Sequence, residues 1–262
     1  MATLENGIAL SYFEQGEAGN PVVMLLPGPT DSWRSYEPVL ASLPRRFHVV
    51  AVSLRGHGDS TKPATGHSIS DLASDIVPLL DALSIDRAVF AGHSGSCLVA
   101  RRVALDSPDR VGGLILEASP TTLRGDVKLS EFVDSVVMKL VDPIDRELAR
   151  SLVTDTSTDK LAPEFIDLLV DEVLKVPVGA WREMFASLVE YDDTTELQRL
   201  GAPAMLVWGD ADSLVPREMQ DQLVDLLPGA ELRVYEGAGH TPRWEQPVRF
   251  ARDLAAFAWA LS

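Results

Sequence analysis

The sequence predicts an α/β fold in which a mostly parallel sheet carries helices on both faces. Short apolar, β-branched runs alternate with helical patterns over residues 1–120. The alternation returns over residues 196–262, and only helical periodicity lies between these stretches. Alternation of this kind builds a parallel sheet covered on both sides. We therefore expect one core, formed by residues 1–120 and 196–262, with a helical cap inserted at residues 121–195.

The first part of the core contains four predicted strands and two predicted helices. The strands are the short runs richest in apolar side chains, Val22–Leu26, His48–Leu54, Ala88–Ala91 and Leu114–Leu116. One helix follows a cap at Ser70-Asp71 and ends near Leu83. The other runs from Gly95 to about Asp106, where a Ser-Pro pair ends it.

The rest of the chain completes the alternating pattern. The cap is predicted to be helical, with breaks at three prolines, Pro143, Pro163 and Pro177. The second part of the core then alternates strand and helix twice, over Ala204–Trp208, Pro216–Leu227, Glu231–Tyr235 and Trp244–Leu261. Both parts of the core therefore have the same architecture, and this is why we expect the cap to be an insertion.

The composition narrows the range of partners. The formal net charge is −16, which disfavours binding to nucleic acid or to an anionic membrane surface. Residues 121–195 hold 8 Lys or Arg and 16 Asp or Glu, a balance of 8 − 16 = −8. If this acidic segment overhangs a site, it disfavours anionic substrates. The predicted partner is a small, mostly neutral molecule.

The cysteine count and the terminal sequence suggest a location. Cys97 is the only cysteine, so no intrachain disulfide can form, which fits a reducing compartment. The N-terminus lacks the basic start and apolar stretch of a signal peptide. No apolar run is long enough to span a bilayer. We expect a cytoplasmic protein.

The segment Ala91-Gly92-His93-Ser94-Gly95-Ser96 follows a predicted strand and precedes a predicted helix. A serine on such a sharp turn projects from the sheet, and the residues two before and two after it must be small. At the start of the helix, the N–H of Gly95 can point at a developing oxyanion. The pattern predicts that Ser94 is a catalytic nucleophile.

A serine nucleophile needs a base, and the base needs an orienting acid. Asp210 and Asp212 follow the predicted strand Ala204–Trp208, and His240 follows the next strand. The carboxyl ends of parallel strands meet at one edge of a sheet, where active sites form. The chain order Ser, Asp, His is the order expected of this arrangement.

These motifs resemble the α/β-hydrolase fold family, and the resemblance covers nearly the whole chain. It rests on the Ser94 turn and on three further segments, RGHGDS at 55–60, GDADSLVP at 209–216 and GAGHTPRWEQP at 237–247. The resemblance implies that Asp212, the third residue after the glycine, is the catalytic acid. In some members the acid follows the strand after the nucleophile helix, which here gives Glu117. The implied activity is that of an esterase-like or lactonase-like serine hydrolase.

The chain departs from this family at the expected oxyanion hole. Relatives carry His-Gly after the first clear strand, and the next residue donates an N–H. This chain has Pro27-Gly28-Pro29-Thr30, and Pro29 has no backbone N–H. Loss of one such donor lowers kcat by about 10²–10³-fold. Either Thr30 donates instead, or a side chain or water fills the place, or the chemistry does not need a strong oxyanion hole.

The leading prediction is hydrolysis of a small, mostly neutral carboxylic ester or lactone through an acyl-enzyme on Ser94. We expect five residues to line the substrate pocket, Gly28, Met138, Trp181, Phe185 and Leu214. We expect neither a metal nor a cofactor, because the sequence has no metal-ligand spacing and no glycine-rich nucleotide loop.

Two other function classes remain open. One keeps the fold for carbon–carbon bond hydrolysis, perhydrolase or haloperoxidase chemistry, or proton abstraction by histidine. The other is a ligand receptor built on the fold. Epoxide hydrolases and haloalkane dehalogenases are disfavoured, because members of those classes carry aspartate where this chain has Ser94.

Overall fold

A computed structural model describes residues 1–17, 21–158 and 161–261. Nine strands occur in these residues. They are β1 (Ala2–Thr3), β2 (Ala9–Leu10), β3 (Tyr12–Gln15), β4 (Val22–Leu26), β5 (His48–Val52), β6 (Ala88–His93), β7 (Val111–Glu117), β8 (Ala204–Gly209) and β9 (Glu231–Tyr235). Strands β1 and β2 form a small separate ladder. The other seven form one sheet in the order β3-β5-β4-β6-β7-β8-β9.

The seven-stranded sheet is parallel except at one edge. Strand β3 pairs antiparallel with β5, and every other neighbouring pair is parallel. In β4, Met24 and Leu26 face one apolar cluster, while Val23 and Leu25 face another. This two-sided burial is why the central strands are almost continuously apolar. The predicted α/β fold class, with a mostly parallel sheet and helices on both faces, is confirmed.

Eleven α-helices in the described part of the chain connect or cover the strands. They are α1 (Glu37–Leu40), α2 (Ile69–Ser74), α3 (Ile76–Ala82), α4 (Gly95–Asp106), α5 (Val127–Ser135), α6 (Arg146–Thr154), α7 (Pro163–Val173), α8 (Val178–Glu190), α9 (Arg217–Leu226), α10 (Pro242–Glu245) and α11 (Pro247–Ala260). Helices α1 and α11 cover one face of the sheet, and α2, α3, α4 and α9 cover the other. Short 3₁₀ turns lie at Trp33–Tyr36, Pro108–Arg110, Val137–Lys139 and Leu197–Arg199.

Two predicted helices differ from those observed. The first begins after Ser68, not at the predicted cap, because the Ser68 hydroxyl and the Asp71 carboxylate each accept the other residue's backbone N–H. It is then divided at Asp75 into α2 and α3. The predicted C-terminal helix is divided at Gln246 into α10 and α11, because Pro247 starts a new helix.

The segment between β7 and β8 has an apolar centre of its own. Helices α5–α8 lie here, and no described residue from 121 to 195 forms a strand. Side chains of α6, α7 and α8 form a third apolar cluster that also includes Trp244 of the core. Pro163 and Pro177 both stand at helix starts, as proline geometry favours. The domain boundaries given above stay a prediction.

No helix among the described residues is long and apolar enough to cross a membrane.

Candidate active site

Ser94 lies in a sharp turn between β6 and α4, at the carboxyl-terminal edge of the sheet. Its φ of 52° and ψ of −125° put a non-glycine residue in a sparsely populated region of the backbone map. The turn requires Gly92, because a Cβ there would lie 2.8 Å from the carbonyl oxygen of Ser96. Ser96 fits, and its hydroxyl donates a hydrogen bond to the carbonyl oxygen of Pro27. The serine found where relatives more often have glycine therefore leaves the turn intact.

His240 connects Ser94 to Asp212. The Nε2 atom of His240 lies 2.9 Å from Oγ of Ser94, and its Nδ1 atom lies 2.9 Å from Oδ2 of Asp212. The Asp212 side chain is fully buried, and its Oδ1 accepts the backbone N–H groups of Leu214 and Val215. A carboxylate at Nδ1 favours the tautomer that carries a proton there. That tautomer leaves the Nε2 lone pair free to accept the proton of Ser94.

The other two candidate acids do not contact His240 directly. Asp210 lies in the same loop as Asp212, but its carboxylate accepts the backbone N–H of Gly237 at 2.6 Å. Glu117 is buried at the end of β7, where its carboxylate binds Arg243. Of the three acids, the geometry therefore favours Asp212, the position that the family resemblance implied.

The loop that carries His240 is held from two sides. Below it, Nε2 of His93 lies 3.0 Å from the carbonyl oxygen of His240. Burial, the largest cause, holds the pKa of His93 well below its usual range, so this ring is neutral. Above it, the backbone N–H of His240 donates to the carbonyl oxygen of Thr156, which belongs to the helical segment. That segment therefore contacts the backbone of His240 directly.

A turn of four residues lies beside the serine. The backbone N–H of Asp31 donates to the carbonyl oxygen of Gly28 at 3.1 Å, which closes a turn over Pro29 and Thr30. Thr30 has a φ of 69°. Proline at the second position and a positive φ at the third position are features of a type II turn, but the third position of such a turn favours glycine. A β-branched residue there is strained, at a cost of about 1–3 kcal/mol.

Gly95 faces both this turn and the helical segment. A Cβ at Gly95 would lie 2.8 Å from Cγ of Pro29 and 2.9 Å from Cδ2 of Leu188 on α8. The proline ring and the leucine side chain therefore fill the space that glycine leaves next to Ser94. The Pro29 position supplies no N–H here, so Gly95 at the start of α4 is the expected oxyanion donor that the chain retains.

The five predicted pocket residues lie in different environments. Gly28 packs against His93, since a Cβ there would lie 2.3 Å from Nδ1 of that ring. Trp181 is 1% exposed within the third apolar cluster and stacks on the half-buried Phe185. Met138 and Leu214 are 50% and 54% exposed. Their roles in substrate binding stay predictions.

Leu188 was missed as a candidate from the sequence. Its side chain is buried and lies directly over Gly95. A signal was present, because Trp181, Phe185 and Leu188 are spaced i, i+4, i+7 and share one face of α8. That spacing is also the ordinary pattern of a packed helix, so it does not by itself single out a site residue.

A buried charge cluster also lies next to the site and was not foreseen. The fully buried guanidinium of Arg243 binds Asp31 through Nη2 at 2.7 Å and Glu117 through Nη1 at 3.3 Å. The backbone N–H of Arg243 donates to Glu117 as well, at 2.7 Å. Burial raises the pKa of Asp31 to about 6 and that of Glu117 to about 7, and Arg243 opposes both shifts. One guanidinium group thus donates hydrogen bonds to two carboxyl groups.

Within the part of the chain that the structure describes, no group of three or more His, Cys, Asp or Glu side chains could hold a metal ion. The absence of a cofactor stays a prediction.

Comparison with known proteins identifies the family to which the chain belongs. Residues 21–247 match the model of the alpha/beta hydrolase fold family. A 2-hydroxy-6-oxononadienedioate/2-hydroxy-6-oxononatrienedioate hydrolase of Paraburkholderia phymatum is 30% identical, over 97% of this chain and 93% of its own. A non-heme chloroperoxidase of Streptomyces lividans is 28% identical, over 97% and 98%.

A solved structure extends the similarity to the whole fold. The thermophilic esterase of Thermogutta terrifontis superposes with a TM-score of 0.87 at 23% identity, covering 99% of this chain and 97% of its own. At that identity the likeness concerns the fold alone. The family match covers most of the chain, and the chain therefore belongs to the α/β-hydrolase fold family.

Proposed function

We propose that this protein is a serine hydrolase that cleaves small, mostly neutral carboxylic esters or lactones through an acyl-enzyme on Ser94. The observation that carries the proposal is the pair of 2.9 Å contacts from His240, one to Ser94 and one to Asp212. An imidazole held this way by a buried carboxylate is the base that a serine hydroxyl needs.

The reaction proceeds in two halves. Nε2 of His240 takes the proton from Ser94 as Oγ attacks the carbonyl carbon, and the same proton then passes to the leaving alcohol. In the second half His240 removes a proton from water, which attacks the acyl carbon, and His240 then returns that proton to Oγ of Ser94 as the bond to Oγ breaks and the acid leaves. Asp212 stabilises the imidazolium in both halves, and the N–H of Gly95 stabilises the oxyanion.

The proposed substrate class rests on the negative charge of the helical segment and on the limited space beside Ser94. The helical segment from 121 to 195 carries half of the net charge of −16, which disfavours anionic substrates near it. The side chains of Pro29 and Leu188 both pack closely around Gly95 and narrow the space beside Ser94. This narrow space favours a small acyl group. We propose that this segment is a cap over the site, since Leu188 lies over Gly95 and Thr156 binds the loop of His240.

The test is hydrolysis of short p-nitrophenyl esters and of a small lactone by the wild type and by Ser94→Ala. We expect turnover that Ser94→Ala abolishes, together with labelling of Ser94 by a fluorophosphonate. The single cysteine does not confuse the labelling, because Cys97 is buried and burial raises its pKa to about 12. Ester turnover that Ser94→Ala leaves unchanged would exclude the acyl-enzyme.

The missing backbone N–H at Pro29 favours a second candidate function, in which the protein catalyses a reaction that needs only a weak oxyanion hole. Carbon–carbon bond hydrolysis, perhydrolysis and proton abstraction by His240 belong to this group. Turnover of such a substrate that depends on His240 but persists in Ser94→Ala would favour proton abstraction. A ligand that binds tightly with no turnover would instead favour a receptor.

A further inference from the structure

Arg243 binds one acidic side chain at the end of β7 and another in the turn that follows β4. It is three residues after His240, in the short helix α10 that directly follows the proposed base. Its Nη1 reaches Glu117 of β7, whose carbonyl oxygen accepts the backbone N–H of Ser94 at 2.8 Å. Its Nη2 reaches Asp31 at the end of the turn that carries Thr30. One buried side chain therefore links the base, the nucleophile and the turn.

The turn needs such support because its conformation is unfavourable. Thr30 has a φ of 69°, which a β-branched residue adopts only when its surroundings impose it. Asp31 is held through two groups, its backbone N–H to Gly28 and its carboxylate to Arg243. The side chains of Asp31 and Arg243 are 9% and 0% exposed, so water screens their attraction very little.

Thr30 also has unused hydrogen-bonding capacity. Its backbone N–H donates to no residue that the structure describes, although the residue is only 7% exposed. Buried backbone N–H groups are rarely left without a partner. Thr30 directly follows Pro29, whose ring contacts the Gly95 position, so this free donor lies next to the place where one oxyanion donor is missing.

We propose that Asp31, held by Arg243, is a positioning residue that keeps Thr30 in its left-handed conformation, so that the N–H of Thr30 replaces the donor that Pro29 lacks. The kinetic part of this inference rests on the proposed serine hydrolase function. The conformational part stands without it, because it concerns only how the turn is held.

A double-mutant cycle tests the inference with Asp31→Asn, Thr30→Gly and the combination. Asp31→Asn keeps the shape but weakens the ion pair, and we expect kcat for p-nitrophenyl acetate to fall by up to about 10²-fold with little change in KM. Thr30→Gly keeps the N–H and adopts the left-handed conformation without help. In that background Asp31→Asn should change kcat by less than about threefold.

Two controls accompany the kinetic cycle. Asp31→Glu keeps the charge and should recover part of kcat. Asp59→Asn removes a carboxylate that is 69% exposed and pairs with Lys175, and it should leave kcat unchanged. An equal loss of kcat from Asp31→Asn in both Thr30 backgrounds would overturn the positioning role.

Thermal unfolding of the same variants gives a readout that needs no activity. Thr30→Gly relieves strain only while Asp31 holds the turn, so its gain in Tm should be larger with Asp31 intact, by about 2–4 °C. Equal gains in both Asp31 backgrounds would overturn the conformational part. If the wild type shows no Ser94-dependent turnover, the proposed function fails, and the Tm cycle still decides whether Asp31 holds Thr30.

Discussion

Arg101 of α4 and Asp193 form an ion pair whose side chains are 0% and 1% exposed, with Nε 3.1 Å from Oδ2. The same guanidinium donates to the carbonyl oxygens of Pro120 and Thr121. Residues 120–121 lead from β7 into the helical segment, and Asp193 lies where the chain leaves it. One side chain of α4 therefore binds both connections between the helical segment and the sheet.

This arrangement predicts a large loss of stability when one partner is removed. Asp193→Asn leaves the Arg101 charge buried and incompletely paired, so the free energy of unfolding should fall by about 3–5 kcal/mol in urea titrations. The control is Asp106→Asn on the same helix, since Asp106 pairs with Arg102 and is 60% exposed. Its loss should be below about 1 kcal/mol. Similar losses in both variants would contradict the role of the buried pair.

The two aspartates that follow β8 should differ sharply in kinetics. Asp212→Asn favours the wrong tautomer of His240 and should lower kcat for p-nitrophenyl acetate by about 10⁴-fold. Asp210→Asn is the matched control, because Asp210 lies in the same loop but its carboxylate accepts the N–H of Gly237 and makes no contact with His240. We expect its kcat to stay within about threefold of the wild type. A strong loss in Asp210→Asn with a mild one in Asp212→Asn would reverse the assignment of the acid.

The size of the acyl group accepted should depend on Leu188. Leu188→Ala removes the side chain that lies 2.9 Å from the Cβ position of Gly95. We expect kcat/KM for the hexanoate ester to rise relative to the acetate ester by about tenfold. Met138→Ala, a change at a predicted pocket residue that is 50% exposed, serves as the comparison. An unchanged ratio in Leu188→Ala would place the acyl group elsewhere.

The stability of the protein should fall as the carboxyl group of Glu117 ionises. Burial raises its pKa to about 7 in the folded protein, and the nearby Arg243 and His240 oppose that rise. In the unfolded chain it titrates near its ordinary value of about 4.3. Between these values the folded state holds a proton that the unfolded state releases, so stability decreases as pH rises through this range.

The pH dependence is measured by thermal unfolding from about pH 5 to about pH 8. The Tm of the wild type relative to Glu117→Gln should decrease with rising pH, because the variant lacks the titrating carboxyl. Asp31, with its pKa raised to about 6, adds a change of the same sign that both proteins share. Parallel Tm curves would show that Glu117 does not titrate in this range.

The sequence was sufficient to predict the strands and the turn that carry the site residues, because these elements follow from local sequence patterns. Hydrophobic periodicity and short apolar runs located strands β4–β9, and the small residues around Ser94 indicated a sharp turn. Asp212 and His240 could be placed near Ser94 since all three follow strands of one parallel sheet. Their catalytic roles, like the boundaries of the cap, stay predictions that the experiments above test.

Only the tertiary structure decided which side chains meet across segments distant in the chain. Arg243 and Asp31 are 212 positions apart, and no periodicity relates them. The same holds for Leu188 over Gly95 and for Arg101 with Asp193, whose contacts depend on how helices pack on the sheet. By itself the sequence determined the order of strands, helices and site residues along the chain, because each is coded by neighbouring residues. The buried charges and the shape beside Ser94 arise from packing, which depends on the whole fold at once.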